Sequence, residues 1–121
     1  MKQKDRLALL VLGLLVLRSP RKATALPGII AIARSAGFPN PELAAAVAMA
    51  ESGGNANAVG DLYLGGSYGL WQINSKAHPQ FSVAMLFDPT YNARAAFEVS
   101  KGGTDWTPWT TFRTGAYRQY L

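Results

Sequence analysis

The chain has no cysteine among its 121 residues, and one histidine, His78. Disulfide staples and thiolate metal sites are therefore excluded, and a lone imidazole leaves little for any other metal centre. No metal and no cofactor is expected. Convincing period-2 alternation is missing too, which argues against a sheet-built body. No repeat or low-complexity tract occurs. The longest apolar run, Leu7 to Leu17, has 11 residues. As a helix it would measure about 16 Å, against about 30 Å of bilayer hydrocarbon, too short to span comfortably.

The body also lacks net charge. The whole chain carries +5. Residues 1–25 hold Lys2, Lys4, Arg6, Arg18, Arg21 and Lys22 against Asp5, or 6 − 1 = +5. Residues 26–121 hold Arg34, Lys76, Arg94, Lys101, Arg113 and Arg118. Against them stand Glu42, Glu51, Asp61, Asp88, Glu98 and Asp105, so 6 − 6 = 0. A neutral body is no footprint for nucleic acid, and no nucleic-acid partner is expected.

What is present divides the chain in two, residues 1–25 and residues 26–121. The first segment has a basic start, a short apolar run and Ala23-Thr24-Ala25. It reads as an uncleaved hydrophobic anchor, or as a cleavable secretory signal, or as a helix packed on the domain or a partner. Arg18, Arg21 and Lys22 weigh against the signal, because cations rarely separate the apolar run from a cleavage site.

The second segment is long enough for one domain with a real core, since 49% of the chain is hydrophobic. Leu26-Pro27-Gly28 marks a hinge. Ile29 to Ala36 reads as a helix stopped by Gly37. Asn40-Pro41-Glu42 combines a cap, a first-turn proline and an acid at the positive helix end. It opens a helix to about Ser52, ended by Gly53-Gly54. Residues 53–69 form a loop rich in Gly, Asn and Ser, with a small β element over 58–68. Leu70 to Asn74 reads as one apolar helical turn. Asp88-Pro89 opens a helix to about Lys101. Trp106 to Leu121 is aromatic and helical in part. The fold class is mainly α, with a minimal β element.

Leu43, Val47 and Glu51 recur at i, i+4 and i+8 on the second helix, so the glutamate ends an apolar stripe. Ala44, Ala46 and Ala48 keep that helix thin and able to pack closely. Desolvation there would raise the carboxyl pKa and keep a proton available near neutrality. Glycosidic cleavage asks this of a general acid, which protonates the leaving oxygen. The plain alternative is a glutamate at a frayed helix end reaching solvent.

Three neighbouring elements carry a resemblance. They are Glu51-Ser52-Gly53-Gly54-Asn55, Asn57-Ala58-Val59, and Gly66-Ser67-Tyr68-Gly69-Leu70-Trp71-Gln72-Ile73. In this order and spacing they resemble the motif pair of the lysozyme-like superfamily. That group includes lytic transglycosylases, goose-type lysozymes and domains of bacteriophage virion proteins. The resemblance covers about residues 27–120 and implies a lysozyme-like α+β fold that cuts peptidoglycan glycan strands. It implies Glu51 as acid/base and Gln72 as a cleft residue bonding sugar substituents. Ser67, Tyr68 and Gly69 belong to the turn bringing the second motif to the acid, and are carried as substrate-binding candidates. Leu70 and Ile73 read as core, and Trp71 as core or sugar platform.

The chain departs from the pattern at two places. Gly60 stands where many transglycosylases have serine. A late Tyr-Asn-Ala-Gly motif is replaced by Trp106-Thr107-Pro108-Trp109 and Gly115-Ala116-Tyr117, an ending closer to phage-type members. Tyr117 is the substitute cleft tyrosine, with a core or lid role beside it.

A hydrolase of the usual kind needs a second carboxylate. Asp61, ten residues after Glu51, is the candidate, against a plain turn role after Gly60. Asp88 suits a cap, Glu42 a helix start, and Glu98 and Asp105 the surface. With one clear acid the expectation is a lytic transglycosylase. His78 lacks a Ser or Asp partner pattern and reads as structural or rim. The expected setting is a virion-associated or extracytoplasmic enzyme. Residues 1–25 would reach the membrane or other virion proteins. A non-catalytic glycan binder and a membrane-active peptide-like protein are the other classes.

Overall fold

A computed structural model describes residues 25–121, so the anchor or signal reading of residues 1–25 lies outside the described residues apart from Ala25. Four α-helices, three short strands and three 3-10 turns build the domain. Among the described residues no helix is long and apolar enough to cross a membrane.

Helix α1 spans Leu26–Ala36, starting three residues before the expected Ile29. Leu26-Pro27-Gly28 is thus a first helical turn rather than a hinge. Proline is tolerated there because its missing N–H would have no intrahelical partner. Gly28 and Ile29 donate N–H to the Ala25 carbonyl at 2.9 and 3.1 Å. Gly37, at φ 99°, ends the helix in the left-handed conformation.

Helix α2 spans Pro41–Ser52, as its caps predict. Asn40 Oδ1 accepts from the Leu43 N–H at 3.1 Å, and the Gly53 N–H closes the far end on Met49 O at 2.8 Å. Ala44, Ala45, Ala46, Val47 and Ala48 are all fully buried. A helix of alanines buried on every side lets its neighbours approach its backbone, so α2 is the axis of the domain.

Strands β1 (Val59–Gly60), β2 (Ser67–Tyr68) and β3 (Ile73–Asn74) form an antiparallel sheet in the order β1-β2-β3. Val59 faces Tyr68 and Ser67 faces Asn74 in the register. Here the expected helical turn over Leu70 to Asn74 is corrected: Ile73 and Asn74 are a strand. Gly69 at φ 80° and Gln72 at φ 49° reverse the chain, and the Gln72 N–H closes the turn on Gly69 O at 3.0 Å. The apolar residues Leu70, Trp71 and Ile73 are buried although they lie in this hairpin and not on a helix of their own.

Helix α3 covers Pro89–Val99, capped by Asp88 through the Tyr91 N–H at 3.0 Å. Helix α4 is short, Thr110–Thr114, and Gly115 at φ 85° separates it from a 3-10 turn over Ala116–Tyr120.

The core joins these elements by rings and by polar stitches. Phe38 stacks on Trp71 and Trp106, and Trp106 meets Trp109 at 4.9 Å. The Trp71 indole donates to Ala44 O at 2.9 Å, and the Trp109 indole to Trp71 O at 2.8 Å. Asn92 of α3 is 1% exposed. It accepts from the Trp71 N–H and donates to Tyr68 O and Leu86 O, all within 2.9 Å. One buried amide thus holds the sheet end to α3 with its bonding capacity satisfied.

Candidate active site

Glu51 sits in the last turn of α2, where the motif spacing puts it. Ser52 Oγ donates back to Ala48 O at 2.9 Å and accepts from the Gly54 N–H at 3.2 Å. The helix end is therefore tied by its own serine, which leaves the neighbouring glutamate free to face a cleft. That cleft has a volume of about 540 Å³. Glu51, Asp61, Ser67, Gln72, Asn74 and His78 are among the residues lining it.

Burial pushes the Glu51 carboxyl up to about 7. The hydroxyl and backbone N–H of Thr111 act against burial, because hydrogen bonds to the carboxylate favour the charged form. The negative charge of Asp61 adds to the rise, and the positive charge of Arg113 opposes it. The contact with Thr111 is direct: its Oγ1 donates to Glu51 Oε2 at 2.8 Å across 60 residues of chain. A carboxyl with this balance holds a proton near neutral pH and gives it up readily.

Asp61 begins a 3-10 turn over Leu62–Leu64 and adopts φ 49°, in the left-handed region. Its side chain makes no cap bond. Instead Asp61 Oδ2 accepts from Ser67 Oγ at 2.9 Å, and Ser67 Oγ accepts from Asn74 Nδ2 at 3.2 Å. The plain turn reading is incomplete, because the carboxylate points into a polar row beside the cleft.

Gln72 lines the cleft, but its amide nitrogen donates to Ala58 O and Gly69 O at 3.1 Å each. It ties together the two loop ends that frame the sheet. Gly60, where the chain departs from the family pattern, lies directly against the Gln72 amide. A Cβ on Gly60 would stand 2.6 Å from Gln72 Oε1.

The other motif residues lie elsewhere. Tyr68, Gly69 and Tyr117 are not among the side chains lining the cleft. Tyr68 meets Phe87 edge-on at 5.7 Å. Gly69 is pressed against the 3-10 turn over Met85–Phe87 and against α3, where a Cβ would fall 2.2 Å from Leu86 O and 2.3 Å from Asn92 Nδ2. Tyr117 stacks on Phe112 at 5.0 Å, with Arg118 5.8 Å from its ring. Trp71 is wholly buried core. His78 and Lys76 are both among the residues lining the cleft. The residue that the motifs do not reveal is Thr111, since no local pattern marks a threonine 60 positions from its partner. Among the described residues no cluster of His, Cys, Asp and Glu could hold a metal.

A family model described as a lysozyme-like domain matches residues 30–111, or 82 of 121 residues. The chain belongs to the lysozyme-like domain family. The match runs from α1 to Thr111 and so includes both walls of the cleft. Membership carries a glycan-cleaving role in general, on the glycan of peptidoglycan. No curated protein and no solved structure matches the chain.

Proposed function

We propose that this protein cleaves the β-1,4 bond between N-acetylmuramic acid and N-acetylglucosamine as a lytic transglycosylase, with Glu51 as acid and then base. The observation that carries the reading is a cleft-lining carboxyl that burial raises to about 7. Protonated Glu51 gives its proton to the glycosidic oxygen, the C1–O bond breaks, and the muramic ring takes oxocarbenium character. The carboxylate left behind removes the proton from the muramic 6-hydroxyl. O6 then bonds C1 and closes a 1,6-anhydro ring, so no water is consumed. Gln72 frames the cleft for the sugar, with Ser67 beside it. Tyr68, Gly69 and Tyr117 support the walls from outside the lining.

A second reading has its own observation. Asp61 lines the same cleft and feels Glu51 electrostatically. It could hold a water for attack on C1, which makes the enzyme a hydrolytic lysozyme. Mass analysis of purified peptidoglycan after digestion separates the readings. Anhydro-muropeptides support the transglycosylase and new reducing ends the hydrolase. The absence of any product, with binding retained, would leave a glycan-binding protein.

The setting we propose is a virion-associated enzyme that opens the wall for genome entry, tethered through residues 1–25. Its support is the basic-flanked apolar run and the phage-like ending of the sequence.

A further inference from the structure

We propose that Thr111 is a positioning residue that holds one oxygen of Glu51 and leaves the other to deliver and recover the proton. The inference rests on the reading of Glu51 as acid/base. Thr111 Oγ1 donates to Oε2 at 2.8 Å. Among the described residues, the hydrogen-bond donors to this carboxyl come from Thr111. A hydroxyl that donates to Oε2 favours the proton of the neutral acid on Oε1, because the carbonyl oxygen of a carboxylic acid is a better acceptor than its hydroxyl oxygen. Oε1 is then the oxygen that meets the glycosidic bond. Once the proton has left, the same hydroxyl stabilises the carboxylate that must act as base.

The mount of Thr111 suits this task. Helix α4 follows Trp109, a buried side chain whose indole is fixed to Trp71 O. The Arg113 guanidinium, from the same helix, donates to Thr107 O and, at 3.0 Å, to Thr110 Oγ1, which ties down the start of α4 beside Thr111. The charged groups acting on Glu51 are Asp61, from the loop between β1 and β2, and Arg113 from α4. Lys76 and His78 line the same cleft.

The test uses the full chain with Thr111→Val and Thr111→Ser. It reads the pH dependence of kcat on purified peptidoglycan and the Glu51 carboxyl titration by carbon NMR. In T111V, kcat should fall on the order of tenfold with KM nearly unchanged. The Glu51 midpoint should move above its starting value of about 7, and the alkaline limb of kcat should follow. T111S should restore rate and midpoint to within about twofold. A T111V enzyme with unaltered rate and midpoint overturns the proposal, as does a folded T111S enzyme that behaves like T111V. If T111V does not fold, Thr111→Ala read by the same titration decides. If the wild-type chain cleaves no peptidoglycan, the proposed function fails. The Glu51 midpoint in T111V still reports on the Thr111 contact.

Discussion

The two walls of the cleft are built in opposite ways. One wall is the end of α2 with α4 behind it, and its rigidity comes from buried alanines and from indoles packed on Phe38 and on each other. The other runs from β1 to β3 and is held by side-chain bonds to backbone and by residues in left-handed conformation, Asp61 and Gln72. It leaves Val59, Leu62, Tyr63 and Leu64 exposed, Tyr63 at 85%. The difference follows from the work each wall does. A carboxyl that must hold a proton at neutral pH needs the low dielectric that a packed core supplies. A surface that meets a polar sugar chain needs polar groups in defined places, and turns supply those with little buried area.

The largest test of the α wall is Glu51→Gln. It should lower the cleavage rate by about 10²- to 10⁴-fold, the span expected when a general acid is removed. Folding should survive, and the variant's stability relative to the wild type should rise with pH. A folded-state pKa of about 7 against 4.5 means the native state binds the proton more tightly. That contribution is fully present below about 4.5 and is lost as pH rises through about 7. The glutamine variant escapes the loss, so its advantage in thermal unfolding should grow across that window. A variant that still digests peptidoglycan at the normal rate would remove Glu51 from the chemistry.

Next in size is Gly69→Ala, which attacks the joint between the β wall and α3. Its Cβ would collide with Leu86 O and Asn92, at a residue that already needs positive φ. A loss of about 3 kcal/mol or more in urea unfolding is expected. A loss under about 1 kcal/mol would mean the joint yields easily and the walls differ less than described.

Asp61→Asn sharpens the comparison chemically. If only the α wall handles protons, the rate should stay within about tenfold and the product should remain anhydro-muropeptide. A loss on the order of 10²-fold, together with reducing-end products from the wild type, would give the β wall a catalytic carboxylate.

The smallest effect belongs to Gly60→Ala. Its Cβ would press on Gln72 Oε1 and disturb the bonds from that amide to Ala58 O and Gly69 O. A cost of about 1 kcal/mol and a severalfold rise in KM are expected, read by denaturation and by initial rates. No change in either would show that Gln72 reorients freely.

Most of the α wall was legible in the sequence. Asn40-Pro41 and Gly53 marked both ends of α2, because capping is chemistry between neighbours in the chain. Asp88-Pro89 did the same for α3, whose end at Val99 falls two residues short of the expected Lys101. The β wall was less legible. Ile73 and Asn74 read as part of a helical turn because five apolar-rich residues carry no period of their own. Their strand pairing with Ser67 and Tyr68 depends on the Gly69 and Gln72 reversal. The departure at Gly60 reads in sequence as a missing serine, and its closeness to the Gln72 amide exists only once the loop is closed.

The sequence by itself determined both ends of α2 and the start of α3, the neutral body, the place of Glu51 at a helix end and the motif pair of the lysozyme-like family. All of these follow from residue type and spacing along the chain. Only the tertiary structure decided that Thr111 is the partner of Glu51 and that Asp61 turns toward Ser67. It also kept Tyr68, Gly69 and Tyr117 out of the cleft lining. Such pairings join residues that no local periodicity relates, because burial and hydrogen bonding act through space and not along the backbone.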